Sequence, residues 1–181
     1  MKRVEKVKNG GSVRLTGGIF SGRKISTPGE KTHPMGERER LALFNMLGDM
    51  TGLSVLDAFA GSGALGIEAL SRGASRTVFI EKNAAAARVI RENLATLGTD
   101  GEVIIGDVAN VELDEKFNII IADPPYDNFE IEKVLSLAGL LKEVGIFVLS
   151  HPGEAPALDG LVLEKTRQYA AAHLSFYRKS A

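Results

Sequence analysis

From residue 53 onward, short apolar and β-branched runs alternate with stretches of helical periodicity, and this alternation limits the fold more tightly than any other feature of the chain. It is the pattern of βαβ units, because parallel strands cannot be joined by a tight turn and need a long crossover. Strands are expected at residues 54–57, 76–81, 102–105, 117–122, 145–150, 161–167 and 173–178. Between the second and third, Val89, Ile90, Leu94 and Leu97 recur at helical spacing, with Asn83 as N-cap and Gly98 as stop. Leu43, Phe44 and Leu47 predict another helix ahead of the first strand, ending near Gly48. The last two runs have no helix between them, which predicts an antiparallel hairpin. The expected architecture is α/β: a mostly parallel seven-stranded sheet closed by a C-terminal hairpin, with helices on both faces.

At 181 residues the chain is long enough for one domain with a core of its own. A single domain over residues 1–181 is expected, with residues 1–30 as a basic extension carrying a small hairpin in the glycine-rich stretch 10–22, and 31–181 as the core. No apolar run approaches the roughly 20 residues of a membrane span. The charged first ten residues are not followed by an apolar segment, so no secretory signal is read and a cytoplasmic location is expected. The chain has no cysteine, which removes disulfides, thiol nucleophiles and cysteine-bound metals from consideration. Residues 1–40 hold ten Lys/Arg against four Asp/Glu, whereas the remainder is net acidic. A basic front end of this kind is either a solvated tail or a grip on nucleic-acid phosphates.

The stretch AGSGALG contains a literal G-x-G-x-x-G at Gly61, Gly63 and Gly66, in the first strand-to-helix turn. Ligands of open parallel sheets bind beyond the carboxyl ends of the strands, where this turn lies. In a dinucleotide site the glycines admit a pyrophosphate to the helix N-terminus, and an acid about 20 residues on holds the ribose. Glu81 follows Gly61 by 20. Asp57, at the predicted end of the first strand, is expected to face the ligand, where like charges about 4 Å apart at an effective dielectric near 20 cost on the order of 4 kcal/mol. A ligand bearing an amino group and a sulfonium, with no phosphate, suits the site better; S-adenosylmethionine has these properties.

VLDAFAGSGALGIEAL resembles the first motif of class I S-adenosylmethionine-dependent methyltransferases, the acid of FIEK resembles the second, and Gly106-Asp107 the third. That resemblance implies Gly61, Ser62 and Gly63 near the methionine moiety, Glu81 on the ribose, and Asp107 with Val108 at the adenine. Asp57, Phe59, Lys82 and Asp123 complete the implied cofactor-binding set.

The fourth core strand runs into Asp123-Pro124-Pro125-Tyr126. Two prolines end the ladder and stiffen the turn. The exocyclic amine of a nucleobase is a poor nucleophile, since its lone pair is delocalised into the ring. Hydrogen bonds to the Asp123 carboxylate and the Pro124 carbonyl orient it, while Tyr126 stacks on the base. This chemistry needs no metal and no covalent intermediate. Turns of the D/N-PP-F/Y type serve transfer to adenine N6, guanine N2, cytosine N4 and protein glutamine alike.

TGGIFSGRKI, PMGERERLALFNML, DAFAGSGALGIEALSRGA, DPPY and RQYAAAHLSFYR are together similar, in order and over nearly the whole chain, to the RsmD family of 16S rRNA guanine-N2 methyltransferases. The resemblance implies methylation of one guanine N2, with 16S rRNA or an assembling small ribosomal subunit as partner, S-adenosylmethionine as cofactor, no metal, no membrane and a monomeric enzyme. Arg14, Arg23, Lys24 and Arg38, with Pro125 and Tyr126, are then the RNA-binding residues, and Asp123, Pro124 and Tyr126 the catalytic ones. Adenine-N6 methylation of RNA or DNA is the alternative, and a dinucleotide-dependent oxidoreductase a distant one. Where the family usually has Arg-Pro-Thr the chain has His33, Pro34 and Met35, so it departs at His33 and Met35, and it departs also at Glu37 for Asp and at Ala170 for Gly. His33 and Met35 bear on substrate choice, because their segment is expected to border the substrate entrance. His33, His151 and His173 are read as surface or hydrogen-bonded histidines without a catalytic role.

Overall fold

The computed structural model describes residues 10–29, 35–169 and 172–180; Lys2, Arg3, Lys6, Lys8, His33, Pro34 and Ala170 lie outside them. The elements run β1 (Ser12–Arg14), β2 (Lys24–Ser26), α1 (Glu37–Leu47), β3 (Ser54–Asp57), α2 (Ala64–Ser71), β4 (Arg76–Glu81), α3 (Ala84–Leu97), β5 (Glu102–Ile105), β6 (Phe117–Ala122), α4 (Ile131–Leu135), β7 (Leu141–His151), β8 (Leu161–Tyr169) and β9 (Ala172–Lys179). Strands β3 to β9 form one sheet in the order β5-β4-β3-β6-β7-β9-β8. The first five neighbours are parallel, and β9 pairs antiparallel with both β7 and β8. The strand order reverses between β3 and β6, so the ligand end of the sheet lies above these two strands.

Local chemistry explains where the helices begin and end. The Asn83 side chain accepts from the amides of Ala85 and Ala86 at 2.9 and 3.0 Å, and Gly98 ends α3 in the left-handed region at φ +68°. The four expected strands from residue 54 to 122 match β3 to β6 end for end. β7 starts four residues before its expected beginning, at Leu141, whose side chain is fully buried opposite Phe117. The front hairpin also reaches further than residue 22, because its second strand pairs Lys24 with Arg14 and Ile25 with Val13.

Side chains alternate across the sheet. On one face Val55, Ile119, Ile121, Val148 and Phe176 pack under Leu43 and Phe44 of α1 and Leu65 and Ala69 of α2. On the other, Leu56, Ile80, Ile120, Phe147 and Tyr177 pack against Val134 and Leu137. The front hairpin is bound to the first face by a buried ionic cluster. Glu68 of α2, fully enclosed, accepts from the Thr16 amide at 2.9 Å, the Thr16 hydroxyl at 2.7 Å and Arg72 Nε at 3.0 Å. Arg40, also buried, sends Nε to within 3.8 Å of Glu68 and hydrogen-bonds the carbonyls of Met35 and Arg14 through its two terminal nitrogens.

Candidate active site

A cavity of about 800 Å³ opens at the carboxyl ends of β3, β4, β5, β6 and β7. Its size falls in the range of about 300–1,000 Å³ common to small-molecule sites. Phe59, Gly61 and Ser62 from the glycine loop line it, together with Glu81 and Lys82 after β4, Asp107 and Val108 after β5, and Asp123, Pro124, Pro125 and Tyr126 after β6. Met35 and Arg40 also line it, so the segment expected to border the entrance does reach the cavity wall.

The glycine loop is built for backbone approach. Gly61 and Gly63 have φ of +53° and +78°; a Cβ at Gly61 would meet nothing within 4 Å, so the face it leaves bare is open space, whereas Gly63, expected beside the methionine, does not line the cavity and turns its bare face to Ile90 of the core, 3.1 Å from the Cβ position. The Gly61 amide donates to Glu81 Oε2 at 2.7 Å, and the Asn83 amide to Oε1 at 2.8 Å. These bonds fix the Glu81 carboxylate on the cavity wall, each oxygen retaining a lone pair. Gly66 does not approach a ligand: its Cβ position lies 2.2 Å from the Phe79 ring, so its smallness lets α2 lie flat on β4.

Asp57 corrects the sequence reading. It shares a sheet face with Val55, so its side chain turns toward α2 and is wholly buried beneath the loop instead of lining the cavity. Oδ2 accepts from the Gly66 amide at 2.9 Å. The N-cap Gly63 has no side chain to cap α2, and the Asp57 carboxylate supplies the missing acceptor from below. Burial pushes its carboxyl up to about 7, with Asp123 and Glu81 adding to the rise and the Gly66 bond opposing it. Other residues therefore oppose a pyrophosphate. The lining carries six acids, Glu39, Glu81, Asp107, Asp123, Asp127 and Glu130, against Arg40, Lys82 and Lys133. An acidic cavity attracts a cationic ligand and disfavours a phosphate.

Two contributors carried no sequence signal. Lys133, the third residue of α4, pairs with Asp107 Oδ2 at 2.8 Å, while Asp107 Oδ1 accepts from the Ala109 amide at 3.0 Å. Hydrogen bonding from Lys133 holds the Asp107 carboxyl below its ordinary range. Ser150, near the end of β7, shares a hydrogen bond with the Tyr126 phenol, and its hydroxyl lowers the titration of the neighbouring Asp123 carboxyl. Asp123 is half-buried, and desolvation pushes it up to about 6 against the lowering effect of Ser150.

The expected RNA residues separate into two groups. Arg14 and Arg38 share a second groove between the front hairpin and α1, and Lys24 sits opposite Arg14 across the hairpin. Arg23 instead reaches the Thr96 carbonyl at 3.1 Å and lies over the Phe20 ring. His151 is buried with Nε2 2.8 Å from the Ser175 hydroxyl, and its ring stacks on His173. Among the described residues no group of three or more His, Cys, Asp or Glu is arranged to hold a metal ion, and no helix is long and apolar enough to cross a membrane.

A family model described as conserved hypothetical protein 95 matches residues 13–178. Over 132 residues the chain is 37% identical to Ribosomal RNA small subunit methyltransferase D of Escherichia coli strain K12, covering 70% of this chain and 67% of that one. The chain belongs to the RsmD family. YlbH of Bacillus subtilis, provisionally named an rRNA methyltransferase, is 31% identical over 182 residues, covering 92% of this chain and 99% of its own. The solved structure of yhhF from Escherichia coli, provisionally a methyltransferase, superposes with a TM-score of 0.84 at 30% identity, covering 94% of this chain and 99% of that one. The RsmD membership accords with the sheet order and with the five strand ends that converge on the cavity.

Proposed function

We propose that the chain transfers a methyl group from S-adenosylmethionine to the exocyclic N2 of a guanine in 16S rRNA, acting in the cytoplasm on the RNA or on an assembling small subunit. The observation that carries this reading is one cavity lined both by the glycine loop with Glu81 and by the Asp123-Pro124-Pro125-Tyr126 turn. The bare face at Gly61, the ribose-directed carboxylate of Glu81 and the acidic lining fit a cationic, phosphate-free nucleoside. S-adenosylmethionine, when bound, supplies an activated methyl group carried on a sulfonium. Gly61 and Ser62 pass its methionine end, Glu81 holds the ribose, and Phe59, Lys82, Asp107 and Val108 enclose the adenine.

On the other side of the cavity the Asp123 carboxylate and the Pro124 carbonyl accept hydrogen bonds from the guanine amine and draw its nitrogen lone pair out of conjugation. The Tyr126 ring supports the flat base, with Pro125 beside it. Once methylated, the nitrogen loses a proton, for which the Asp123 carboxylate is the nearest base on the turn. Arg14, Lys24 and Arg38 serve the RNA backbone. Cross-strand like charges such as Arg14 and Lys24 repel each other, and no ion pair relieves either one among the described residues, so a phosphate is a fitting partner.

The test is incubation with isotopically labelled S-adenosylmethionine and unmodified 30S particles, followed by nucleoside analysis. Labelled N2-methylguanosine is the expected product. Labelled N6-methyladenosine in its place would transfer the chain to the adenine reading, and tight NAD binding without a response to S-adenosylhomocysteine would overturn methyl transfer itself.

A further inference from the structure

Ser150 belongs to no motif, yet it stands at the centre of the acceptor side of the cavity. In the parallel register of β6 and β7, Ala122 faces Leu149, so Ser150 arrives beside Asp123 just as that residue leaves the sheet. Its side chain is buried, 2% exposed, and it lines the cavity. Its hydroxyl shares a hydrogen bond with the Tyr126 phenol, in which either oxygen can be the donor. When the phenol donates, the serine hydrogen is left to turn toward the Asp123 carboxyl beside it, whose titration the hydroxyl lowers.

We infer that Ser150 is a positioning residue for methyl transfer, holding the Tyr126 ring beside Asp123 in the arrangement that a flat base amine requires; this rests on the reading of the cavity as a base-amine methyltransferase site. Tyr126 needs such a holder. It begins a single turn, Tyr126–Asn128, that follows the exposed Pro125, and it belongs to none of the buried clusters of the core. Its phenol therefore registers the ring against the sheet through Ser150. Asp123 gains from it as well, since burial opposes its ionisation. Of the titratable groups near it, Asp57 of β3 holds its own proton up to about 7 and Tyr126 stands on the same turn, while Glu39, Arg40, Glu81 and Asp127 line the same cavity. His151, next along β7, turns away to Ser175. The Ser150 hydroxyl is the neutral group beside the carboxyl that favours its ionised form.

The experiment uses the full chain with unmodified 30S particles and labelled S-adenosylmethionine. In Ser150→Ala, kcat is expected to fall about tenfold, since the Tyr126 ring loses the hydrogen bond that orients it beside the acceptor. The KM for particles and the affinity for S-adenosylhomocysteine should stay near wild type, and the acid limb of kcat should move to higher pH. Tyr126→Phe should produce a fall of similar size, and the double variant should be little worse than either single one, because both cut the same Tyr126–Ser150 bond. Ser150→Cys, which keeps the side-chain volume with a weak donor, should lose kcat without loss of thermal stability. Wild-type kcat and an unmoved acid limb in Ser150→Ala, or strictly additive losses in the double variant, overturn the positioning role. A wild-type chain that leaves guanine unmethylated overturns both this role and the function on which it rests, whereas an active wild type with an indifferent Ser150→Ala overturns this role alone.

Discussion

The Asp57 carboxylate lies beneath the first turn of α2 and accepts the Gly66 amide proton at 2.9 Å, so a residue of the sheet caps the helix that follows it. The cap is buried and costly to ionise: burial raises its carboxyl to about 7, whereas in an unfolded chain it titrates at about 3.9. A carboxyl with a raised folded pKa holds its proton in the folded state over the window between the two values, so its contribution to stability declines as pH rises from about 4 to about 7. Asp57→Asn keeps an oxygen for the Gly66 amide and removes the titration. The stability difference, variant minus wild type, is expected to shift in favour of the variant across that window and to be flat above it, as read by urea unfolding at a series of pH values.

On the proposed mechanism Asp123 sets the pH dependence of the reaction. Its carboxylate would have to be ionised to accept from the amine, and burial brings its titration to about 6. Single-turnover rates should therefore rise with pH through about 6 and level off above it. Asp123→Ala should bind S-adenosylhomocysteine about as well as wild type and lose at least about a hundredfold in rate. Full activity in that variant would remove Asp123 from the mechanism.

Gly66 is expected to tolerate no side chain. In Gly66→Ala the added Cβ would sit 2.2 Å from Phe79 Cε1, forcing the helix or the ring to move. A loss of about 1–3 kcal/mol follows from overpacking. The companion change Phe79→Leu should recover part of it in chemical denaturation, which distinguishes a steric conflict from a backbone one.

Glu68 neutralises two buried or half-buried guanidinium groups and receives the Thr16 amide. Glu68→Ala leaves Arg40 buried without its counter-charge, and removing one partner of a buried pair costs about 3–5 kcal/mol. Thermal or urea unfolding should register this loss, and protease cleavage near residue 16 should accelerate as the front hairpin detaches.

Arg14 and Lys24 are directly opposed on the hairpin. Replacing both by Ala should weaken binding of rRNA fragments and reduce the slope of log K against log salt by about one for each phosphate no longer neutralised. Arg23→Ala should have the smaller effect, because that side chain is already bonded to Thr96. Equal slopes in all three proteins would return the hairpin to the status of a solvated surface.

Much of this molecule was legible in its sequence because the buried parallel strands are compact apolar runs with turn residues at both ends. β3 to β6 could be delimited to the residue for that reason. β7 could not, since Lys142 and Glu143 interrupt its apolar pattern and the β6 pairing slips between Phe117 and Ile119. α4 has five residues, too few for a helical period to declare itself. Within the cavity, the loop glycines, Glu81 and the proline turn announce themselves by spacing along one chain. Ser150 and Lys133 do not, because their partners Tyr126 and Asp107 lie 24 and 26 residues away and meet them only once the sheet has formed. The direction of Asp57 was available in principle: alternation puts it on the face of Val55, under α2.

The Arg40 guanidinium bonds the Arg14 carbonyl with one terminal nitrogen and the Met35 carbonyl with the other while lining the cavity wall. Hairpin and cavity are in this way fastened to each other through one side chain. If RNA backbone rests on Arg14 as proposed, the distance from that phosphate to a base at Asp123 is set by the protein, and reach as well as chemistry would then decide which guanine is accepted.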